Sequence, residues 1–222
     1  CKLNYFQSII LLFAMVILIG AVLLMQPISA QGHTVTPFHE ALFTATSAVC
    51  VTGLVVRDTA SHWSAFGQAV LMVLIQIGGL GVITVGASFS LLSGRRISLS
   101  QRGRMQEAMS APKVGGIVRL TGFVIRTSLM IEGIGALCML PVFCRDFGVS
   151  GIWKAIFHSV SAFCNAGFDL MGTPDTPFVS LTAYRADPVI SLTISALIVI
   201  GGIGFLTWDD VRTNRLRFHR YR

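Results

Sequence analysis

Two stretches of the sequence decide the fold: F-H-E-A-L-F-T-A-T-S-A-V-C-V-T-G-L (Phe38–Leu54) and I-W-K-A-I-F-H-S-V-S-A-F-C-N-A-G-F (Ile152–Phe168). They align at an offset of 114 residues and share the pattern S-A-x-C-x-x-G. A second pair, G-G-L-G-V-I-T (Gly78–Thr84) and G-G-I-G-F-L-T (Gly201–Thr207), aligns at an offset of 123. The chain therefore contains an internal repeat. The change of offset predicts an insertion in the second copy, at the turn-forming M-G-T-P-D-T-P (Met171–Pro177).

The composition indicates that these repeats fold in a membrane. The 222 residues are 53% hydrophobic and only 12% charged, whereas a soluble domain has about 25% charged residues. This argues against disorder, a secreted disulfide protein and an ordinary cytosolic enzyme. Four apolar segments have about the 20 residues that a spanning helix needs: 6–25, 66–92, 117–143 and 189–208. A signal peptide is the alternative for 6–25, but its apolar run is longer than such peptides have.

The basic residues predict the topology. Of the 17 Lys and Arg residues, 12 fall in three places. One is Lys2, six lie between residues 95 and 119 after the second span, and five lie between residues 212 and 222 after the fourth. By the positive-inside rule, both ends of this chain and the 93–118 loop face the cytoplasm. This placement accounts for the net charge of +7 without a nucleic-acid partner. Segments 27–65 and 144–188 then face outward.

Each outer segment holds a repeat of about 12 residues that is too short to cross a bilayer, which suits a re-entrant helix. We expect these helices to stop near Cys50 and Cys164, before the small-residue strips V-T-G and N-A-G. Irregular backbone at membrane depth is tolerated only where it is buried or lines a water-filled cavity. The C-terminus of a helix is partly negative and favours cations. The pattern therefore predicts a cation pore; surface helices in ordinary outer loops are the alternative.

These residues resemble the Trk/Ktr superfamily of potassium transporters, most closely the Ktr-type membrane pore subunit. The matching stretches are A-L-F-T-A-T-S-A-V-C-V-T-G-L, L-I-Q-I-G-G-L-G-V-I-T, A-I-F-H-S-V-S-A-F-C-N-A-G-F and I-G-G-I-G-F-L-T. The resemblance implies an all-α membrane protein of tandem span–pore-loop–span repeats, here four transmembrane helices plus two re-entrant pore helices. It implies no enzymatic activity and no organic cofactor.

Carried over by position, the resemblance implies a potassium filter formed by backbone carbonyls of two strips. The first strip is Cys50, Val51, Thr52 and Gly53, and the second is Cys164, Asn165, Ala166 and Gly167. A disulfide between the two cysteines is not expected, because it would strain a filter. In the family, a glycine-rich break in a later repeat is a gate. For Gly78-Gly79 and Gly201-Gly202 we favour close helix packing over gating.

The family has four repeats around one pore, and two are expected here. The predicted parts are a first repeat (1–92), a cytoplasmic basic linker (93–116), a second repeat (117–208) and a cytoplasmic basic tail (209–222). Because the chain begins at Cys1 and ends in a basic segment, we expect an N-terminal two-repeat part of a longer protein. The alternatives are a two-pore-loop cation channel that dimerises to complete its pore, and a membrane scaffold that transports nothing.

The resemblance also implies the partners and the location. These are homodimerisation, docking on a cytoplasmic nucleotide-binding regulatory ring, and multi-pass insertion in the lipid bilayer of a bacterial plasma (inner) membrane. Potassium is the transported ion, and sodium is an ion on which transport can depend.

Several polar residues lie inside or beside the spans. Glu132 and Arg126 are six residues apart, on different faces of the third span, so a pair between them is not expected. Glu132 is expected to support a pore helix, with cation attraction as the alternative. Gln76 is expected to bond between helices. Structural roles are expected for His39 and His158. The acidic residues on the outer side are expected to be solvated charges, with attraction of cations toward the pore mouth as the alternative: Asp58, Asp146, Asp169, Asp175 and Asp187.

Overall fold

The computed structural model describes residues 5–81, 117–205 and 207–208, and this part of the chain is helical, with no strand. Its helices are α1 (Tyr5–Met25), α2 (Phe38–Val49), α3 (Thr59–His62), α4 (Ala65–Leu80), α5 (Ile117–Phe147), α6 (Ser150–Phe163) and α7 (Pro188–Gly202). Short 3-10 turns cover Pro27–Ser29 and Thr182–Tyr184. Part of the predicted second span (82–92), the predicted linker (93–116) and the predicted tail (209–222) lie outside the described residues.

The helices form two groups that follow the sequence repeat. In the first group α2 packs against α1 and α4, and in the second α6 packs against α5 and α7. Contacts between α4 and α6 join the groups. In each group a short helix thus packs against two longer apolar helices.

Side-chain caps fix where several of these helices begin. Ser64 accepts a hydrogen bond from the N–H of Gly67 at the start of α4. Asp187 accepts from the N–H groups of Val189 and Ile190 at the start of α7, where Pro188 occupies the first position. Such caps satisfy backbone donors that a helix leaves unpaired at its N-terminus. They place the N-terminal ends of α4 and α7 at corresponding points of the repeat.

By length and composition, one helical stretch of the described residues, Thr121–Phe147, could cross a membrane on its own. It has 27 residues and a mean hydropathy of 1.7. Three shorter apolar helices accompany it: Ile9–Met25, Ala65–Leu80 and Pro188–Gly202.

Two helices end at residues other than the ends of the predicted spans. The third span was expected to end at residue 143, but α5 continues to Phe147 despite Pro141. Packing explains the continuation, since Phe143 is buried against His158 and Phe147 (ring centroids 5.4 and 6.4 Å apart). The fourth span was expected to reach residue 208, but α7 ends at Gly202. Gly204 has a φ of 91°, which no α-helix contains, and apolar composition carries no sign of that break.

Candidate functional site: the paired ends of the short helices

The two short helices end in the same hydrogen-bonded turn. In each turn, the N–H two residues after the C-cap residue donates to the carbonyl five residues before it in the sequence. The N–H one residue after the C-cap donates to the carbonyl three residues before it. The C-cap N–H itself donates to the carbonyl four residues before it, as in an α-helix. In α2 these bonds are Thr52 to Ser47 (2.9 Å), Val51 to Ala48 (3.3 Å) and Cys50 to Thr46 (2.8 Å). In α6 they are Ala166 to Ser161 (2.7 Å), Asn165 to Ala162 (3.0 Å) and Cys164 to Val160 (3.0 Å). This is the Schellman motif, formed twice at the repeat offset.

Both strips then alternate through the left-handed region of backbone space. The φ angles are 56° at Val51 and 75° at Gly53, and 57° at Asn165 and 73° at Gly167. Glycine and asparagine tolerate such angles, whereas a β-branched residue is a genuine outlier there. Val51 is therefore the strained member of the four. Strain of this kind persists where the surroundings enforce it, which is common at functional sites.

The glycines of the two strips face each other. A Cβ built on Gly53 would lie 2.7 Å from the carbonyl oxygen of Ala166, and one built on Gly167 would lie 3.4 Å from the Cα of Gly53. Any side chain at residue 53 would therefore have to displace the second strip. The structure thus brings both predicted strips together from positions 114 residues apart in the sequence.

The side-chain donors do not form a conventional metal site here. Within the described residues, no three His, Cys, Asp or Glu side chains converge as metal ligands. The four cysteines that the structure describes are unpaired, including Cys50 and Cys164.

The glycine pairs pack directly behind the strips. A Cβ on Gly78 would collide with the carbonyl oxygen of Val49, the last residue of α2, and a Cβ on Gly201 would collide with that of Phe163, the last residue of α6. The same contact thus occurs in both repeats. Because only glycine lets these backbones come so close, the structure supports packing as the role of Gly78 and Gly201.

The second strip is braced by side chains of α6. The hydroxyl of Ser161 donates to the carbonyl of Phe168 at 2.6 Å. The buried His158 ring bridges two backbone groups: Nδ1–H donates to Lys154 O (2.7 Å), and Nε2 accepts from the N–H of Leu170 (3.2 Å). The Lys154 ammonium donates to the carbonyl of Leu170. His158 is therefore a structural residue, as expected. His39, in contrast, is exposed.

Glu132 and Gln76 connect the repeats behind the second strip. The Gln76 amide donates from Nε2 to Oε1 of Glu132 at 2.9 Å, and its Oε1 lies 3.9 Å from the Cys164 thiol. The hydroxyl of Ser159 in α6 donates to the backbone carbonyl of Glu132 at 2.6 Å. Gln76 therefore bonds between helices, as predicted, and residue 132 contacts α6 through its backbone carbonyl. No ion pair between Glu132 and Arg126 occurs among the described residues.

Asp58 joins a loop of the first repeat to a loop of the second, which corrects the expectation of a solvated charge. The residue is only 7% exposed. One oxygen accepts from the N–H of Phe178 at 2.9 Å, and the other accepts from the N–H and hydroxyl of Ser61 at 2.8 and 2.7 Å. Burial opposes ionisation, but these hydrogen bonds outweigh it and hold the pKa of Asp58 below its ordinary value. Asp58 thus fastens the inserted loop of the second repeat to the first repeat.

The sequence held one further repeat that was missed. I-G-A at residues 19–21 recurs at 134–136, an offset of 115. A Cβ on Gly20 would lie 2.7 Å from the Leu74 side chain, and a Cβ on Gly135 would lie 2.7 Å from that of Leu197. In each repeat, the first long helix therefore approaches the second long helix at one glycine: α1 approaches α4 at Gly20, and α5 approaches α7 at Gly135. A search for three-residue matches near the known offset would have found this signal.

Comparison with known proteins places the chain in a family. A family model described as a cation transport protein, TrkH, matches residues 3–219. The potassium/sodium uptake protein NtpJ of Enterococcus hirae is 41% identical over 220 residues, which are 99% of this chain and 47% of that protein.

Two Ktr system potassium uptake proteins B are also similar. The Bacillus subtilis protein is 44% identical over 206 residues (91% of this chain, 44% of that protein), and the Vibrio alginolyticus protein is 40% identical over 216 residues (96% and 46%). The chain spans about half the length of the curated relatives it matches. It is an all-α membrane protein with the sequence of a transporter, not of an enzyme, and it belongs to the TrkH family of cation transport proteins.

Proposed function

We propose that this chain provides two of the four carbonyl-lined strips of a potassium filter, in the pore-forming subunit of a Trk/Ktr-type uptake system. The observation that carries the proposal is the pair of identical turns that end α2 and α6, with Gly53 against Gly167. Potassium is the ion common to the names of the three relatives.

The chemistry of the strips suits a dehydrated monovalent cation. Rings of backbone carbonyls replace the hydration shell of potassium in channel filters. The carbonyls of Cys50, Val51, Thr52 and Gly53 and of Cys164, Asn165, Ala166 and Gly167 are the proposed ligands. The C-terminal ends of both short helices lie directly before these strips, and each contributes a partial negative charge. Two helix ends thus favour a cation at one place.

The remaining assignments rest on the family. We propose four repeats around the pore, with 1–92 and 117–208 as two of them, and a homodimer of the membrane subunit. The basic segments 93–116 and 209–222 would lie in the cytoplasm of a bacterium, at the inner face of the plasma membrane, where a nucleotide-binding regulatory ring would dock. Sodium dependence is proposed on the name of the Enterococcus hirae relative.

Substitution of the strip glycines tests the filter. In the complete gene product, Gly53→Ser adds a side chain against Ala166 O and imposes a strained φ, so we expect loss of potassium selectivity over sodium. Gly167→Ser should act in the same direction. Gly148→Ser is the matched control, because Gly148 also has a positive φ (61°) but an added Cβ meets no described atom within 4 Å. The measurement is potassium and sodium flux into vesicles at equal protein content.

The outcomes separate the rival functions. If Gly53→Ser and Gly167→Ser leave both fluxes unchanged, the strips are not a filter. If the unaltered complete protein fails to restore growth of potassium-uptake-deficient cells on low potassium, a scaffold is favoured. If a chain limited to these two repeats restores growth and crosslinks as a dimer, the two-pore-loop channel is favoured.

A further inference from the structure

A cavity of about 350 Å³ lies between the two repeats, where α4 meets α5 and α6. Its walls are apolar and are formed by Met72, Val73, Leu129, Ala136, Ile156 and Val160. Val73 and Leu129 are 54% and 57% exposed, so the mouth of the cavity is apolar too. An apolar mouth is compatible with acyl chains, so we take the bilayer as the source of the molecule that fills this cavity.

Two polar side chains, Gln76 and Glu132, also line the cavity. Glu132 is 5% exposed and accepts one hydrogen bond, from Gln76, at Oε1. Within the described part of the chain, no Lys, Arg or His forms an ion pair with it. A carboxylate at membrane depth is costly and usually has a partner. The cavity is where a partner can reach it.

The donor set determines which cation fits. A bare metal ion needs several oxygen ligands, but the walls offer only Gln76 and Glu132 as polar side chains. Gln76 already uses Nε2 on Glu132 and directs Oε1 toward the Cys164 thiol. An ammonium group, in contrast, can be bound by a single carboxylate. A hydrocarbon chain attached to the ammonium would then lie along the apolar wall of the cavity. The cavity therefore matches a molecule with one positive head and one hydrocarbon tail.

We propose that this cavity is a binding site for a cationic amphiphile that enters from the bilayer, with its ammonium on the Glu132 carboxylate. Because Gln76 also reaches toward the thiol of Cys164, the first residue of the second strip, an occupant would lie one side chain away from that residue. The site is separate from the strips and does not depend on which ion they conduct.

Protection of Glu132 from a carbodiimide tests the proposal in vesicles that contain the complete gene product. The carboxyl oxygen adds to the central carbon of dicyclohexylcarbodiimide and the carboxyl proton moves to nitrogen. The acyl group then shifts to nitrogen, which leaves an N-acylurea that carries the whole reagent. Mass spectrometry of the peptide containing Glu132 gives the labelled fraction. We expect labelling that dodecylammonium suppresses and that dodecanol and ethylammonium do not.

Two variants test the head and the tail separately. Glu132→Gln keeps an acceptor for Gln76 but removes the charge, and it should weaken binding of spin-labelled alkylammonium by on the order of tenfold or more. Gly133→Leu should fill the cavity, since Gly133 lines it and an added Cβ there meets no described atom within 4 Å. It should abolish the same binding while Glu132 remains.

Three results would overturn the proposal. Equal protection by dodecanol would assign the cavity to an uncharged chain. Equal labelling by a water-soluble carbodiimide would show that the cavity opens to water. Undiminished alkylammonium binding in Glu132→Gln and Gly133→Leu would place the ligand elsewhere. Potassium flux is not the readout, so a failure here is distinguishable from failure of the proposed filter.

Discussion

The carboxylate of Asp58 accepts a hydrogen bond from the backbone N–H of Phe178 at 2.9 Å, across 120 residues of sequence. The same carboxylate caps α3 through Ser61, and a Cβ on Gly172 would collide with it. One buried side chain thus holds the loop that follows α2 in the first repeat and the inserted loop of the second. The two loops are thereby fixed to each other.

Asp58→Asn should therefore destabilise the protein in a pH-dependent way. Hydrogen bonds to a charged group contribute about 1.5–3 kcal/mol each, so we expect a lower unfolding temperature at neutral pH. Because the pKa of Asp58 is lowered in the folded protein, its contribution is full above the unfolded value of about 3.9 and is lost as pH falls through the lower folded value. The measurement is thermal unfolding of both proteins from pH 7 to pH 3.

The difference between the two proteins should be constant down to about pH 5 and should shrink below about pH 4. Asp175→Asn is the control, since Asp175 is exposed in the same inserted loop, and it should change the unfolding temperature little. A difference between wild type and Asp58→Asn that grows on acidification would contradict the assignment.

Val51 should be a position where a polar residue stabilises the fold. Its φ of 56° places a β-branched residue in the left-handed region, which costs about 1–2 kcal/mol. Asn165 occupies the corresponding position of the second strip at 57°. We expect Val51→Asn to raise the free energy of unfolding by about 1 kcal/mol, since asparagine tolerates this conformation. Chemical denaturation in detergent measures the change.

Val55→Asn provides the comparison for that prediction. Val55 is half-buried like Val51 but does not have a positive φ, so the same exchange there relieves no strain. It should destabilise the protein. If both exchanges lower stability equally, the left-handed Val51 stores no strain.

The glycines behind the strips should be intolerant of a single methyl group. Gly78→Ala and Gly201→Ala each place a Cβ against the last carbonyl of a short helix. Overpacking of this kind costs about 1–3 kcal/mol, and both variants should lower the unfolding temperature. Gly122→Ala is the control, because an added Cβ meets no described atom within 4 Å there. Its gain in helix propensity, about 1 kcal/mol, should raise the unfolding temperature instead.

The ends of the short helices were predictable because their signal is local and occurs twice. The sequence placed them near Cys50 and Cys164, and α2 and α6 end at Val49 and Phe163. A Schellman turn is specified by a few consecutive residues, so the S-A-x-C-x-x-G pattern was sufficient.

The contacts between the repeats were not predictable to the same degree. Gln76 was expected to bond between helices, but naming Glu132 as its partner requires the rotation of α4 relative to α5. Asp58 was predicted to be a solvated charge because no residue near it in the sequence indicates that the backbone N–H of Phe178 is its hydrogen-bond donor. Both pairs join residues that are far apart in the sequence and meet only through the packing of the helices and loops. No local sequence pattern identifies the partners.

A second bond between the repeats should contribute measurably to their docking. The indole N–H of Trp153 in α6 donates to Oε1 of Gln68 in α4 at 2.8 Å. Gln68 also donates to the backbone carbonyl of Trp63, so a single variant would mix two losses. A double-mutant cycle of Trp153→Phe and Gln68→Met isolates the pair. Hydrogen bonds between membrane helices average about 0.6 kcal/mol and reach about 1.7 kcal/mol, and we expect a coupling energy in that range.

The control is a cycle of Gln68→Met with Trp208→Phe. The Trp208 indole donates to the carbonyl of Ile200 and does not share a partner with Gln68, so the two exchanges should be additive. Unfolding free energies of the four proteins in each cycle give the result. A coupling energy near zero for Trp153 and Gln68 would mean that this hydrogen bond does not stabilise the docking of α4 on α6, and the contact of Gly79 with Cys164 would then be the next one to alter.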